Sequence, residues 1–245
     1  MRLLRAAVPV LMLLAIAVAA HAADMPAPAP PAPTAAGRGV RTLVLVRHGL
    51  YDDADPADPD VGKALTNDGR EQAALTGIRL SNYPLHIDAL YASTMTRARQ
   101  TADIIGKAIH MTPQPSRLIR ECTPPTERED VMRDQKPGEP EACVDTLEMA
   151  WARFFRPSPA KDSTEVLVAH GNVIRWLTSK ALGLESKHWL RMSIGNCSIT
   201  VIRVRPDGKC QVFAVGDIGH LPNRLQERLW FPAPPAARPD STAKR

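Results

Sequence analysis

Residues 43–50 read LVLVRHGL. Leu43 to Val46 is an unbroken apolar run of β-formers, the pattern of a strand buried on both faces. It ends abruptly in Arg47, His48 and Gly49: a guanidinium, an imidazole and the residue that accepts any turn. In an open α/β sheet, ligands bind beyond the carboxyl ends of the strands. The junction is therefore where chemistry is expected.

Two further strand ends carry the same kind of residue. Leu90-Tyr91 leads into Ala92-Ser93-Thr94-Met95-Thr96-Arg97, with Arg97 in the opening turn of a helix. Val166-Leu167-Val168-Ala169 leads into His170-Gly171-Asn172 and another helix. Two arginines and two histidines thus meet on one sheet edge. Arg forks match phosphate oxygens bidentately and keep their charge. The helix opening at Gly171 and Asn172 adds backbone donors with the same preference. Taken singly, each residue is more often an ordinary loop or solvated side chain. Their joint placement after three strands points to an oxyanion pocket for a tetrahedral dianion.

The surrounding pattern predicts strands near 42–47, 87–92, 165–169, 198–204 and 210–215. Helices are predicted from a Thr66 cap to about Leu80, over 96–109, over about 141–155, and from His170 to about Gly183. Strands alternating with helices imply a three-layer α/β/α sandwich with a mostly parallel central sheet. The last two strands flank Pro206-Asp207-Gly208 and form an antiparallel edge hairpin, whose register pairs position 204 with 210.

The chain has 245 residues, 44% hydrophobic and 23% charged, which fits a globular domain with a core. Net charge is +5, or two less without Arg2 and Arg5, and aromatics make up 4%. No basic run with interleaved aromatics occurs, so no nucleic-acid partner is expected. Arg2 and Arg5, the apolar Ala6–Ala20 and Ala20-His21-Ala22 read as a secretory signal over 1–22, implying a periplasmic or extracellular protein. An uncleaved leader would make a membrane anchor, although 15 apolar residues are short for a span. A Pro/Ala-rich linker (23–39), a domain (40–230) and a disordered tail (231–245) follow.

Of four cysteines, Cys122 and Cys143 end a Pro-rich loop and are the better candidates for a bridge, worth about 3 kcal/mol by loop entropy. Burial as small hydrophobes is the alternative. No C-x-x-C pair or Cys/His cluster suggests a metal, and no cofactor is expected.

Four blocks, LVLVRHG (43–49), ALTNDGREQA (64–73), YASTMTRARQTADII (91–105) and VLVAHGNVIRWL (166–177), resemble the histidine phosphatase superfamily, the phosphoglycerate-mutase-like fold. The nearest likeness is to a mitochondrial protein phosphatase within it. The resemblance implies His48 as nucleophile through a phosphohistidine. It also implies Arg47, Arg97 and His170 around the phosphoryl group, and Glu121 in LIRECTPP (118–125) as proton donor. Glu127, Glu129 and Asp130 lie in the same loop and are alternative carboxyls. The expected substrate is a phosphoprotein or a small phosphoester. A phosphoryl-transferring mutase or a non-catalytic phosphate-binding module are the competing classes. The loop 122–140 is short and mostly acidic, offers little for a second phosphate, and so favours hydrolysis.

Overall fold

Strand β1 (Arg41–Arg47) is the centre of a six-stranded sheet in a computed structural model that describes residues 39–58 and 62–230. The other strands are β2 (Ala89–Ser93), β3 (Gln114–Ser116), β4 (Ser163–Ala169), β5 (Ile199–Val204) and β6 (Cys210–Asp217). Their order is β3-β2-β4-β1-β5-β6. The first four are mutually parallel, while β5 runs antiparallel to both β1 and β6. The hairpin register places Val204 opposite Cys210, as the turn requires. The proposed leader, the tail and all of the linker except Gly39 lie outside the described residues. Gly39 itself bridges to Ser158.

Helices are α1 (Asn67–Ser81), α2 (Thr96–Ile109), the one-turn α3 (Glu129–Met132), α4 (Glu139–Phe154), α5 (Gly171–Ala181) and α6 (Asn223–Trp230). β1 alternates between two cores. Leu43 and Leu45 pack with Leu147, Phe154, Ile174 and Leu177 of α4 and α5. Val44 and Val46 pack with Leu80, Ala98, Ala102 and Ile105 of α1 and α2. All four strand residues are at most 1% exposed, and each such side chain contributes about 1.5–3 kcal/mol. A polar residue at any of the four would face a helix, which is why the run is continuous.

Three elements escaped the sequence pattern: β3, the one-turn α3 and α6. β3 is three residues long, contains Pro115 and is mostly exposed. Proline has no N–H for a ladder and is confined to edges, and β3 is an edge. α6 docks Leu225 against Ala73 and Cys197. Among the described residues, no helix is long and apolar enough to cross a membrane.

The fold brings the three chemically loaded strand ends side by side, because β2, β4 and β1 are neighbours. Arg47 pairs in register with Ala169, and Ala92 with Val168. The turn after β1 is held against α1 by backbone contact. A Cβ on Gly49 would lie 2.5 Å from the Gly69 carbonyl oxygen, and one on Gly69 1.8 Å from that of Leu50. Neither position has room for any other residue. Thr66 caps α1 by accepting from the Gly69 N–H at 3.1 Å, which fixes the far side of the same contact.

Candidate active site

His48 ends β1 almost fully buried, at 1% exposure. Its Nδ1 lies 2.9 Å from the Gly49 carbonyl. A carbonyl only accepts, so Nδ1 carries the proton. Its Nε2 receives a 3.2 Å hydrogen bond from Arg97 Nε, and a guanidinium only donates. Both contacts require the neutral tautomer with its lone pair on Nε2. Burial, then His170, Arg47 and Arg97, hold the pKa of His48 well below the usual imidazole value. The ring is thus unprotonated at neutral pH, as a nucleophile needs.

The main chain under His48 is pinned from the turn that leads into β5. Asn196 Nδ2 donates to the His48 carbonyl at 3.0 Å, and the Cys197 N–H donates to that of Arg47 at 3.0 Å. Cys197 adopts φ +54° to do so, a left-handed conformation costing about 1–3 kcal/mol at a non-glycine residue. Thr101 Oγ1 accepts from the Gly49 N–H at 3.0 Å.

The other residues surround this ring. His170 lies with its ring centroid 5.0 Å from that of His48, and its Nε2 is 2.7 Å from Ser93 Oγ at the end of β2. Burial, then Arg97 and Arg47, lower its pKa as well. Arg47 Nη1 donates to the Ile194 carbonyl at 2.7 Å. The Arg97 guanidinium stacks 4.7 Å above the Tyr51 ring, and Tyr51 meets His48 edge-on at 5.2 Å. Arg47 Nε, His170 Nδ1 and Glu121 Oε1 are buried and make no hydrogen bond among the described residues. Buried polar atoms are nearly always partnered. Three orphans of matching chemistry beside one imidazole mark the position of a polar ligand.

Glu121 precedes the disulfide Cys122–Cys143, so the spaced cysteines are bridged, with Cys143 also buried in the core. Glu121 as a residue is partly exposed, but its Oε1 is buried. Burial raises its pKa to about 7, against the opposing pull of Arg47, Arg97 and Arg175. The alternative carboxyls in the loop are placed differently. Glu127 pairs with Arg191 and His188 and is pushed down. Asp130 pairs with Arg128 and sits at about 2. Glu129 opens α3 and is exposed.

Asn172 and Gly171 support the pocket from α5. Asn172 Nδ2 donates to the Cys122 carbonyl at 3.3 Å, and its Oδ1 accepts from Arg175 Nη1 at 3.3 Å. A Cβ on Gly171 would come 3.3 Å from Arg175 Nη1 and 3.5 Å from Arg47 Nε. A cleft of 630 Å3 opens from the site and is lined by Tyr51, Lys63, Arg97, Arg117, Arg120 and Glu121, with the disulfide in its wall. A second cleft of 690 Å3 lies at the amino ends of the strands, around His86 and His110, away from these residues.

Tyr51, Ser93, Asn196 and Arg175 were not singled out from sequence. Ser93 alone had a local signal, its place at a strand end. Tyr51, Asn196 and Arg175 each make a contact with a residue distant in the chain, namely Arg97, His48 and Met192.

The chain is 41% identical over 189 residues to the mitochondrial serine/threonine-protein phosphatase Pgam5 of Caenorhabditis elegans, a match covering 74% of this chain and 64% of that protein. It is 37% identical to the protein of the same name from Drosophila yakuba, covering 78% and 68%. It therefore spans about two thirds of the length of these relatives. Both are named as mitochondrial, which overturns the expectation of a secretory signal and of periplasmic or extracellular export. An apolar stretch preceded by arginines can be read by more than one targeting machinery, so it does not specify a compartment. Among solved structures, a Plasmodium falciparum phosphoglycerate mutase superposes with a TM-score of 0.53 at 26% identity, covering 75% of this chain and 95% of that one. The family model of the histidine phosphatase superfamily (branch 1) matches residues 43–142 and 127–217. That span contains His48, Arg97, Glu121 and His170, and by it the chain belongs to the histidine phosphatase superfamily.

Proposed function

We propose that this chain is a phosphomonoester hydrolase that works through a phosphohistidine at His48. The observation that carries the reading is the tautomer of His48: neutral, protonated at Nδ1, with the Nε2 lone pair aimed at Arg97. The phosphoryl group docks between Arg47, Arg97 and His170, displacing the Arg97 contact from Nε2 onto its own oxygens. With Ser93 donating to His170 Nε2, the proton on His170 Nδ1 points to a phosphoryl oxygen. Charge developing on the equatorial oxygens then meets donors that need no reorganisation. Glu121, half protonated near pH 7, gives its proton to the leaving alkoxide. As a carboxylate it then activates the water that attacks phosphorus and frees His48.

The substrate class we favour is phosphoserine or phosphothreonine in a protein, the substrates for which the relatives are named. A second reading, phosphoryl transfer between two oxygens of a small substrate, draws on one feature. The cleft carries Lys63, Arg117 and Arg120 from outside the acidic loop, a place for a second anionic group.

Rapid quenching decides the mechanism. An acid-labile, alkali-stable phosphoryl group should be trapped on the enzyme and lost in His48→Ala together with turnover. Activity should survive chelators, since arginine and histidine supply the positive field. Turnover retained in His48→Ala refutes the proposal. Release of inorganic phosphate from phosphopeptides, as opposed to transfer onto a phosphorylated acceptor, separates hydrolase from transferase.

A further inference from the structure

We infer that the Cys122–Cys143 bridge is a positioning element of the proton donor, so that opening it with a dithiol disables leaving-group protonation while sparing attack by His48. The inference rests on the reading of Glu121 given above.

The Glu121 carboxyl has almost no anchor of its own. Its Oε1 has no partner among the described residues, and only the Asn172 backbone N–H reaches it. Its place therefore follows the main chain on either side. Upstream, Arg120 Nη1 donates to Thr94 Oγ1 at 3.0 Å. Downstream stands Cys122, whose carbonyl holds a long 3.3 Å bond from Asn172 and whose sulfur joins Cys143. Cys143 is 4% exposed and shares a face of α4 with Leu147, Ala150 and Phe154, all buried in the core. The bridge thus ties the residue beside the acid to the rigid side of a helix. The next fastening is Trp189 Nε1 to the Pro125 carbonyl at 3.0 Å. Without the bridge, the segment from Glu121 to Pro124 keeps only the two contacts from Asn172, of which the one to its main chain is long, and the burial of Pro124.

The bridge is also reachable, since both cysteines line the cleft that holds Arg97 and Glu121. A dithiol attacks one sulfur as thiolate, and the other sulfur leaves as thiolate. The second thiol then displaces the mixed disulfide. Two electrons and two protons pass to the protein, and the reductant ends as its own disulfide. His48, by contrast, is held by Gly49, Asn196 and Cys197, none of them in this loop. Opening the bridge should therefore change leaving-group dependence rather than all activity.

The test uses the full chain, folded, as isolated and after treatment with dithiothreitol, with the opened thiols blocked and counted. Cys197 and Cys210 are free beforehand, so opening adds two thiols. We expect turnover of a phosphoserine peptide to fall about tenfold, a part of the 10²–10⁴ that a general acid supplies. Turnover of p-nitrophenyl phosphate, whose phenolate needs no proton, should stay within about twofold. Omitting the block and reoxidising should restore the peptide activity. The basic limb of the peptide pH profile should move to lower pH, because water admitted to the carboxyl removes its burial penalty. The groups facing Glu121, namely Arg47 of β1, Arg97 of α2 and Arg175 of α5, would still favour its ionised form. Cys122→Ser/Cys143→Ser should reproduce the reduced enzyme. If that variant does not fold, reduction of the folded protein decides. If the bridge resists reduction, the variant decides. Equal losses on both esters, no loss with the bridge open, or free thiols at both positions in the isolated protein overturn the inference. Glu121→Gln separates the two levels: if it leaves leaving-group dependence unchanged, the reading of Glu121 itself fails.

Discussion

Arg97→Met removes a charge and keeps a shape, which makes it the sharpest probe of the site. Methionine can still pack against Tyr51 and Met95, but it loses the Nε–H that reaches His48 Nε2 at 3.2 Å and the fork that would hold phosphoryl oxygens. Loss of one pre-placed donor costs about 10²–10³ in kcat, or about 2.7–4 kcal/mol. A second effect has a definite sign. Arg97 lowers the pKa of both His48 and His170. Both rings must be neutral for activity, which is therefore present above their pKa values and lost below them. Removing the cation raises those values, so the acid limb of the pH profile should move up toward neutrality. Stability should not suffer. Arg97 is buried, repels Arg47 and has no carboxylate bonded to it among the described residues. We expect the variant to equal or exceed the wild type by about 1 kcal/mol, or about 2–4 °C in Tm at this size. The assays are kcat against pH with p-nitrophenyl phosphate and thermal unfolding of the same preparations. A kcat within about tenfold of wild type, or a limb that moves to lower pH, would refute the electrostatic reasoning.

The unmodified enzyme should show a bell-shaped kcat/KM profile: its basic limb near the Glu121 value of about 7, its acid limb below the ordinary imidazole range. Glu121→Gln should abolish the basic limb for alkyl phosphates. Gly171→Ala places a methyl 3.3 Å from Arg175 Nη1, the movable end of a long side chain, and at ordinary contact distance, 3.5 Å, from Arg47 Nε, so kcat and unfolding temperature should both stay close to wild type; a loss of about 10²-fold in kcat would mean that Arg47 is displaced. At the other end of the sheet, Arg41 and Glu165 form a buried 2.6 Å ion pair between β1 and β4. Glu165→Ala should cost about 3–5 kcal/mol by stranding the guanidinium, whereas replacing both with apolar residues should be nearly neutral, as denaturant titration would show.

How much of this was legible depends on the range over which each property is set. The strands, the four main helices and the hairpin register are periodic or turn-governed, so LVLVRHGL and its counterparts carry them in a few consecutive residues. The meeting of Arg47, His48, Arg97 and His170 was also readable, because each follows directly on a strand and parallel strands present their carboxyl ends on one edge. β3 was hidden because a three-residue edge strand with a proline buries too little to leave a pattern.

What the sequence by itself determined was therefore the kind of sheet and the reactive residue types on its edge. The tertiary structure alone decided which carboxyl is buried beside the pocket. Glu121 is turned into burial while Glu127 and Asp130 find cationic partners in solvent. It also decided the tautomer of His48, set by Gly49 on one side and by Arg97 from another helix on the other, and the pairing of Cys122 with Cys143, which their spacing had left beside simple burial. A pKa, a tautomer and a disulfide each depend on atoms brought together by folding. Desolvation and Coulomb fields sum over neighbours in space, and the chain order does not show who those neighbours are.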